Sequence, residues 1–335
     1  MTRPDDLLVP RNGGLHCPAG GFDVDPGEPA PLALITHAHS DHARPGSGRY
    51  LAAEPTVPFL RLRLGEDIDV TGVPFGETVR LGDAGVSFHP AGHILGSAQV
   101  RVEAGGEVWV ISGDYARQLD PTSEPFEVVP CDTFVTEATF ALPIYRFPDP
   151  GRVAEEVLSW WDACRDDGRA AVLACYALGK SQRLLAELAR ITDRTVHLHG
   201  AMVQTTRLYR EAGIPLLETA AVADRPDGTD FAGELILAPP SALRSPWMRR
   251  FGDARTAFAS GWMRLRGPRR RRAVDRGFVL SDHADWPDLV RTVEETGARR
   301  VLVTHGFREP LARFLRERGL DAEVLATGFE GEVED

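Results

Sequence analysis

Thr36-His37-Ala38-His39-Ser40-Asp41-His42 packs three imidazoles and a carboxylate into six consecutive positions. It follows directly on the apolar run Pro31-Leu-Ala-Leu-Ile35, which reads as a buried strand. A tight turn at such a strand end aims alternate side chains at two neighbouring points, the arrangement that a pair of metal ions needs. Imidazole and carboxylate at this density suit zinc, manganese or iron; calcium prefers oxygen ligands alone. Four polar residues in an ordinary surface loop is the competing reading, and the density of ligand-grade groups argues against it.

The same pattern recurs along the chain. Val86–His89 leads into Pro90-Ala-Gly-His93 and Val108–Ile111 into Ser112-Gly-Asp114. Far downstream, apolar runs end at Ser281-Asp-His283 and at Val303-Thr-His305. A lone histidine at a strand end is usually satisfied structurally, but five strand ends carrying metal-ligand residue types point to a single site. The first 140 residues are strand-rich, with Ala98–Val102 and Thr133–Thr136 as further strands. From about residue 150 strands and helices alternate: helix Arg152–Cys164, strand Ala170–Cys175, helix Lys180–Ile191, strand Val196–Leu198, helix Ala201–Ala212, strand Glu234–Ala238. That alternation implies a parallel sheet flanked by helices. Residues 218–233 read as a surface loop, and the chain closes with strand Gly277–Leu280, helix Trp286–Thr296, strand Arg300–Thr304 and helix Pro310–Arg318. Gly179-Lys-Ser resembles the end of a phosphate-binding P-loop, but Ala174 stands where that motif requires glycine.

With 335 residues, 43% hydrophobic and 26% charged, the chain suits one large soluble domain or two ordinary ones. No apolar stretch reaches membrane-spanning length and the N-terminus has no signal-peptide character, so the expected location is the cytoplasm. Cys17, Cys131, Cys164 and Cys175 form no C-x-x-C pair and are expected to be reduced. A net charge of −11 argues against nucleic acid as a partner on average. Residues 264–276 are the local exception, with seven arginines against one acid. Arg264, Arg266, Arg269 and Arg270 of this run are candidate phosphate contacts, against the plainer reading of a solvated basic face.

The pattern His37-x-His39-x-Asp41-His42, then His93, then Asp114, resembles the metallo-β-lactamase fold. Glu137 in Val-Thr-Glu-Ala-Thr-Phe, His283 in Ser-Asp-His-Ala-Asp and His305 in Val-Thr-His-Gly match motifs A, B and C of the β-CASP nucleases. These enzymes interrupt that fold with a second domain, and Gly179-Lys-Ser-Gln-Arg-Leu-Leu-Ala-Glu-Leu resembles the inserted domain's helix. Over nearly its full length the chain is similar to the bacterial ligase-associated DNA exonucleases, through Gly-His-Ile-Leu-Gly-Ser-Ala-Gln, Ser-Gly-Trp-Met-Arg and Leu-Ser-Asp-His-Ala-Asp-Trp-Pro.

The resemblance implies an α/β fold: a four-layer αββα sandwich formed by residues 1–150 and 266–335, with a β-CASP domain at 151–265. It implies two divalent ions, zinc first and manganese as the alternative. His37, His39 and His93 would hold one ion and Asp41, His42 and His305 the second, with Asp114 bridging. Asp25, with Asp23 as competitor, would orient ligands from behind. His283, tuned by Glu137, would protonate the leaving group, and Asp41 and Asp114 would also serve catalysis as ligands. Lys180, Ser181 and His199 are implied substrate contacts. The implied activity is a DNA exonuclease in repair, with a DNA ligase and a helicase of the same pathway as partners. His305 matches the RNA-processing branch, which leaves a ribonuclease as the alternative. A thioester or lactone hydrolase on the same metal core comes third.

Overall fold

A computed structural model describes Arg3, residues 6–265 and residues 274–325. The chain divides into two compact units. Of the described residues, the first takes in those up to Arg146 and from His283 to Leu325, and the second those between Phe147 and Asp282.

The first unit holds two sheets. Strands β1 (Val9–Arg11), β2 (Gly14–Cys17), β3 (Phe22–Val24), β4 (Ala33–Ile35), β5 (Tyr50–Ala53) and β6 (Val70–Val73) form the first sheet in sequence order. It is antiparallel from β1 to β3 and parallel from β3 to β6. The second sheet comprises β7 (Thr78–Leu81), β8 (Ala84–Pro90), β9 (Ala98–Ala104), β10 (Glu107–Ile111), β11 (Thr133–Thr136), β18 (Arg300–Val303) and β19 (Asp321–Val324). Its order is β19-β18-β11-β10-β9-β8-β7, and β10, β11, β18 and β19 run parallel.

The parallel strands show why near-continuous apolar runs occur here. Val135 and Leu302 join a core that also contains Phe22, Leu34 and Leu51 of the first sheet. Phe134, Val301 and Val303, one residue along, point the other way. They pack with Leu289 and Val293 of helix Trp286–Thr296 and with Leu311 and Leu315 of helix Arg308–Glu317. Of the four layers expected, these clusters define sheet, sheet and helices. Helix Trp286–Thr296 starts where Asp285 accepts a hydrogen bond from Asp288 N and stops at the left-handed Gly297.

The second unit holds a sheet of strands β12 (Ala171–Ala174), β13 (Val196–Leu198), β14 (Thr219–Ala221), β15 (Leu235–Ala238), β16 (Arg255–Ala259) and β17 (Arg276–Phe278). It is wholly parallel, in the order β14-β13-β15-β12-β16-β17. Helices Pro150–Asp166, Lys180–Leu188 and Gly200–Glu211 alternate with them. The stretch 218–233, expected as loop throughout, contributes β14, which pairs with β13 from Val196 to Leu198. β17 pairs with β16, so residues 276–282 fall in the second unit, whereas the sequence placed the return at residue 266.

Arg300 on β18 forms a bidentate ion pair with Asp6. Burial opposes ionisation of Asp6, but the Arg300 hydrogen bond and the Arg3 backbone outweigh it and hold the carboxyl below its usual range. A depressed carboxyl stabilises the fold fully above its unfolded pKa of about 4 and stops doing so as pH falls through the folded value. Asp6→Asn is therefore expected to lower the melting temperature at pH 7 and to converge with the parent chain in acid. A difference that stayed constant down to the acid transition would show that the pair does not act through charge.

Candidate metal centre

Apart from His283, the site residues of the first unit lie just beyond the C-terminal end of a strand or in the loop joining two. Asp25 follows β3, His37–His42 follow β4, His93 lies in the loop from β8 to β9, Asp114 follows β10, Glu137 follows β11 and His305 follows β18. Side chains of a sheet can face the core, whereas residues past the strand ends are free to converge.

His37, His39, His93 and Asp114 form one group of potential ligand atoms, and Asp41, His42 and His305 another. His39 Nδ1 lies 3.2 Å from His37 Nε2 and 3.0 Å from His93 Nε2. Nitrogens bound at tetrahedral zinc stand about 3.3 Å apart, so these spacings are close to the edges of one coordination polyhedron. Asp114 Oδ2 is 3.5 Å from His37 Nε2, 3.4 Å from His42 Nε2 and 4.0 Å from His93 Nε2. Asp114 thus faces both groups, while its Oδ1 is buried without a hydrogen-bond partner among the described residues. The His42 and His305 rings stack at 5.2 Å.

The network behind these groups sets the tautomers. Asp25 Oδ1 accepts from Thr36 N at 2.8 Å, and Oδ2 accepts from Thr36 Oγ1 at 2.6 Å and from His42 Nδ1 at 2.8 Å. With its proton given to Asp25, Thr36 Oγ1 accepts from His37 Nδ1 at 3.1 Å. Both histidines are thereby protonated on Nδ1 and present the Nε2 lone pair. Of the two aspartates, Asp25 occupies this place. Asp23 pairs with Arg11 and His16 instead. Thr36, not singled out from sequence, is the hub, and a hydroxyl at a strand end gives no signal that distinguishes it.

Backbone conformation supports the convergence. Asp25 and His305 adopt positive φ, 44° and 57°, which non-glycine residues seldom do. Gly113, at φ 57°, brings the Asp114 loop against Thr36, where an added Cβ would stand 2.7 Å from Thr36 Cβ. In the β8–β9 loop, Ser97 Oγ accepts from His93 N at 3.0 Å and from Ile94 N at 3.1 Å, fixing the turn that presents His93.

Electrostatics suit a divalent cation. Burial pushes His37 well below its ordinary value, and takes His305 down to about 4, so both are neutral donors. Burial would lower His42 too, but Asp41, Asp114 and Asp25 raise it well above the usual range. Asp114 is held low against its burial first by the charge that His42 carries while no cation is bound, when Nε2 holds a proton where a metal would otherwise take the lone pair. Three carboxylates gathered around one imidazole amount to surplus negative charge that a metal ion would neutralise. The donor set and its spacing therefore fit two divalent ions. Asp25→Asn places an amide where His42 Nδ1–H needs an acceptor. It is expected to weaken binding at the Asp41–His42–His305 group about 10- to 100-fold in chelator competition, and to weaken the other group less, since His37 feels the change only through Thr36. Equal affinities at both groups would remove Asp25 from this role.

A third group adjoins them. Glu137 Oε1 and Oε2 each lie 3.0 Å from His283 Nδ1, and Oε1 accepts from Tyr115 N at 2.8 Å. Burial raises the Glu137 carboxyl, with the charge of His283 working against it. Asp114, Glu137 and His283 have polar atoms within 4.8 Å of one another.

The remaining described candidates belong to the second unit. Lys180 and Ser181 are buried rather than exposed: Lys180 Nζ meets Asp282 Oδ1 at 3.0 Å, and Ser181 Oγ donates to Ala177 O. Their polar atoms serve internal bonds because the whole of helix Lys180–Leu188 is buried. His199 caps helix Gly200–Glu211 by accepting from Ala201 N, and its ring meets Trp247 edge-on at 4.7 Å. His197 is buried against Phe231. Arg264 ends the turn Gly261–Arg264, while Arg266, Arg269 and Arg270 lie outside the described residues. No helix among the described residues is long and apolar enough to cross a membrane.

No family model matches the chain. It is 35% identical over 326 residues to a "Probable DNA ligase" of Opitutus terrae, covering 96% of this chain and 31% of that protein. It is 28% identical over 225 residues to "Ribonuclease TTHA0252" of Thermus thermophilus, covering 59% of this chain and 49% of the relative. An "Endoribonuclease YSH1" of Yarrowia lipolytica is 25% identical over 189 residues, 46% of this chain and 22% of that protein. The chain thus spans between about a fifth and a half of the length of these relatives. Among solved structures, a protein of unknown function from Enterococcus faecalis V583 matches with a TM-score of 0.59 at 14% identity, covering 90% of this chain and 80% of the other, which shows a shared fold.

Proposed function

We propose that the chain is a metal-dependent nuclease of the metallo-β-lactamase/β-CASP kind that hydrolyses DNA, working as an exonuclease beside a DNA ligase. The fold reading that goes with it is the four-layer sandwich interrupted by a β-CASP domain. The observation that carries the reading is the pair of donor groups facing Asp114, with the Glu137–His283 pair adjoining them. Relatives named as ribonucleases support the nuclease class. The choice of DNA rests on similarity along 96% of the chain to a protein named as a ligase. RNA is the second reading, favoured by the names of the ribonuclease relatives and by His305.

His37, His39, His93 and Asp114 would hold one ion, zinc or manganese, and Asp41, His42 and His305 the other, with Asp114 shared. When bound, such ions supply Lewis acidity at the phosphoryl oxygens and lower the pKa of water towards ~7. Asp25 and Thr36 keep His42 and His37 in the ligating tautomer. His283, held through Nδ1 by Glu137, presents Nε2 for proton transfer to the leaving oxygen. Digestion of end-labelled single- and double-stranded DNA and RNA with zinc or manganese tests the substrate. DNA cleavage from an end is the expected result, and RNA cleaved as fast or faster overturns the assignment to DNA.

A further inference from the structure

Ser245-Pro-Trp247-Met-Arg249 and Ser260-Gly-Trp262-Met-Arg264 spell one pattern, Ser-x-Trp-Met-Arg, twice within the second unit. The chain has only six tryptophans and four methionines, so composition does not account for a repeat that uses two of each. The two copies also fold alike. They lie in the 3-10 turns Pro246–Phe251 and Gly261–Arg264, each entered through its serine. Ser245 Oγ accepts from Trp247 N at 3.2 Å, and Ser260 Oγ accepts from Trp262 N at 3.3 Å. In both, the tryptophan is half-buried and the arginine exposed. The turns follow β15 and β16, which flank β12 with Ala238 and Phe258 level with Ala174. They therefore come off the carboxyl edge of one parallel sheet, the edge at which open sheets of this kind gather ligands. Leu243 packs against the cluster that Trp247 adjoins and against the one that Trp262 adjoins. The rings of His199 and Phe251 hold Trp247 edge-on, each at 4.7 Å.

Packing at a sheet edge asks for a bulky apolar side chain. It does not ask for an exposed arginine two residues further on, nor for that combination twice. An aromatic ring beside a guanidinium suits an unpaired nucleic-acid strand, whose bases stack on the ring while a phosphate meets the cation. Residues 235–252 contain three arginines and no acid in a chain of net charge −11, so the patch is cationic where the chain as a whole repels DNA. We infer that the two turns form a paired platform for single-stranded DNA, on which Trp247 and Trp262 each stack a base and Arg249 and Arg264 each hold a phosphate. The inference rests on the nuclease reading for its choice of ligand. The sequence had offered Arg264 as a phosphate contact; the repeat supplies its counterpart, Arg249, and a ring for each. Paired bases keep their faces stacked within the duplex, so a duplex has none to offer this surface.

The test measures the anisotropy of a fluorescein-labelled oligothymidylate with the full chain stripped of metal, so that no cleavage intervenes, over a range of salt concentrations. Trp247→Leu and Trp262→Leu are each expected to weaken binding about 5- to 100-fold with the salt dependence kept, the range for losing one stacked base. Trp247→Phe and Trp262→Phe keep a ring and should retain most of the affinity. Arg249→Gln/Arg264→Gln alters only exposed side chains. It should flatten the plot of log affinity against log salt by about 1.4, at about 0.7 for each phosphate on a single strand. This pair decides the matter if the leucine variants lose melting temperature. Parent-like affinity in Trp247→Leu/Trp262→Leu, an unchanged salt slope in the arginine pair, or a DNA duplex bound as tightly as the strand would each overturn the inference. An oligouridylate bound more tightly than the oligothymidylate would overturn the choice of DNA. Cleavage of DNA by the metal-loaded parent is scored separately. If it occurs while the tryptophan variants bind like the parent, the platform falls and the nuclease reading stands; if the strand binds as expected and is never cut, the reverse holds.

Discussion

Asp114→Ala is expected to release both metal ions and to reduce phosphodiester hydrolysis by about three orders of magnitude or more, at roughly 1.4 kcal/mol of transition-state stabilisation for each tenfold. Asp114 is the carboxylate that faces donors of both groups, His37 and His93 on one side and His42 on the other. Its Oδ1 is buried with no donor among the described residues to satisfy it, a costly state for a carboxylate that a cation would relieve. Losing it would take a donor from beside each group and the negative charge that would offset the repulsion between two cations held there. Asp114→Asn keeps the shape and one acceptor oxygen, so it separates charge from geometry. It should retain the fold and still bind metal poorly. Two tightly held ions in Asp114→Ala, counted by elemental analysis after dialysis, would contradict the bridging role.

His283→Ala is expected to keep both ions and to lose cleavage by about 10²- to 10⁴-fold, the usual contribution of a general acid or base. The separation from Asp114→Ala follows from the partners. Glu137 holds the His283 Nδ1 face, as a carboxylate holds a working imidazole. His283 belongs to neither the His37–His39–His93–Asp114 group nor the Asp41–His42–His305 group. Glu137→Gln should produce a smaller loss in kcat than His283→Ala, since the imidazole remains but its tautomer is no longer imposed. A substrate with a better leaving group should recover much of the activity of His283→Ala and little of that of Asp114→Ala. If His283→Ala instead removed one ion, His283 would be a ligand, which the proximity of Asp114, Glu137 and His283 allows geometrically.

The placement of the site was legible because polar ligand residues interrupt apolar strands abruptly, as at Ile35–Thr36, Ile111–Ser112, Thr136–Glu137 and Val303–Thr304. Strands buried on both faces have to be apolar throughout, so their ends are sharp in sequence. The first sheet was mostly not legible. Val70-Thr-Gly-Val73 is four residues long and largely unburied at its first three positions, so it has neither the length nor the alternation that marks a strand. β14, Thr219–Ala221, is a short, half-buried stretch for the same reason. Lys180 and Ser181 looked like surface contacts because sequence spacing reports a helix start without reporting its depth. Thr36 escaped notice because its role depends on Asp25, which arrives from a different strand. β17 was read with the chain's return because the arginine run separates it from the strand it pairs with.

Metal titration of the stripped protein against end-labelled DNA asks whether two ions carry the cleavage. No cleavage is expected without metal, activity should rise as zinc or manganese is added up to two equivalents per chain, and Asp114→Ala should show none of that rise. Full cleavage by the metal-free protein, or two bound ions with no hydrolysis of any DNA or RNA strand, would contradict the two-ion reading.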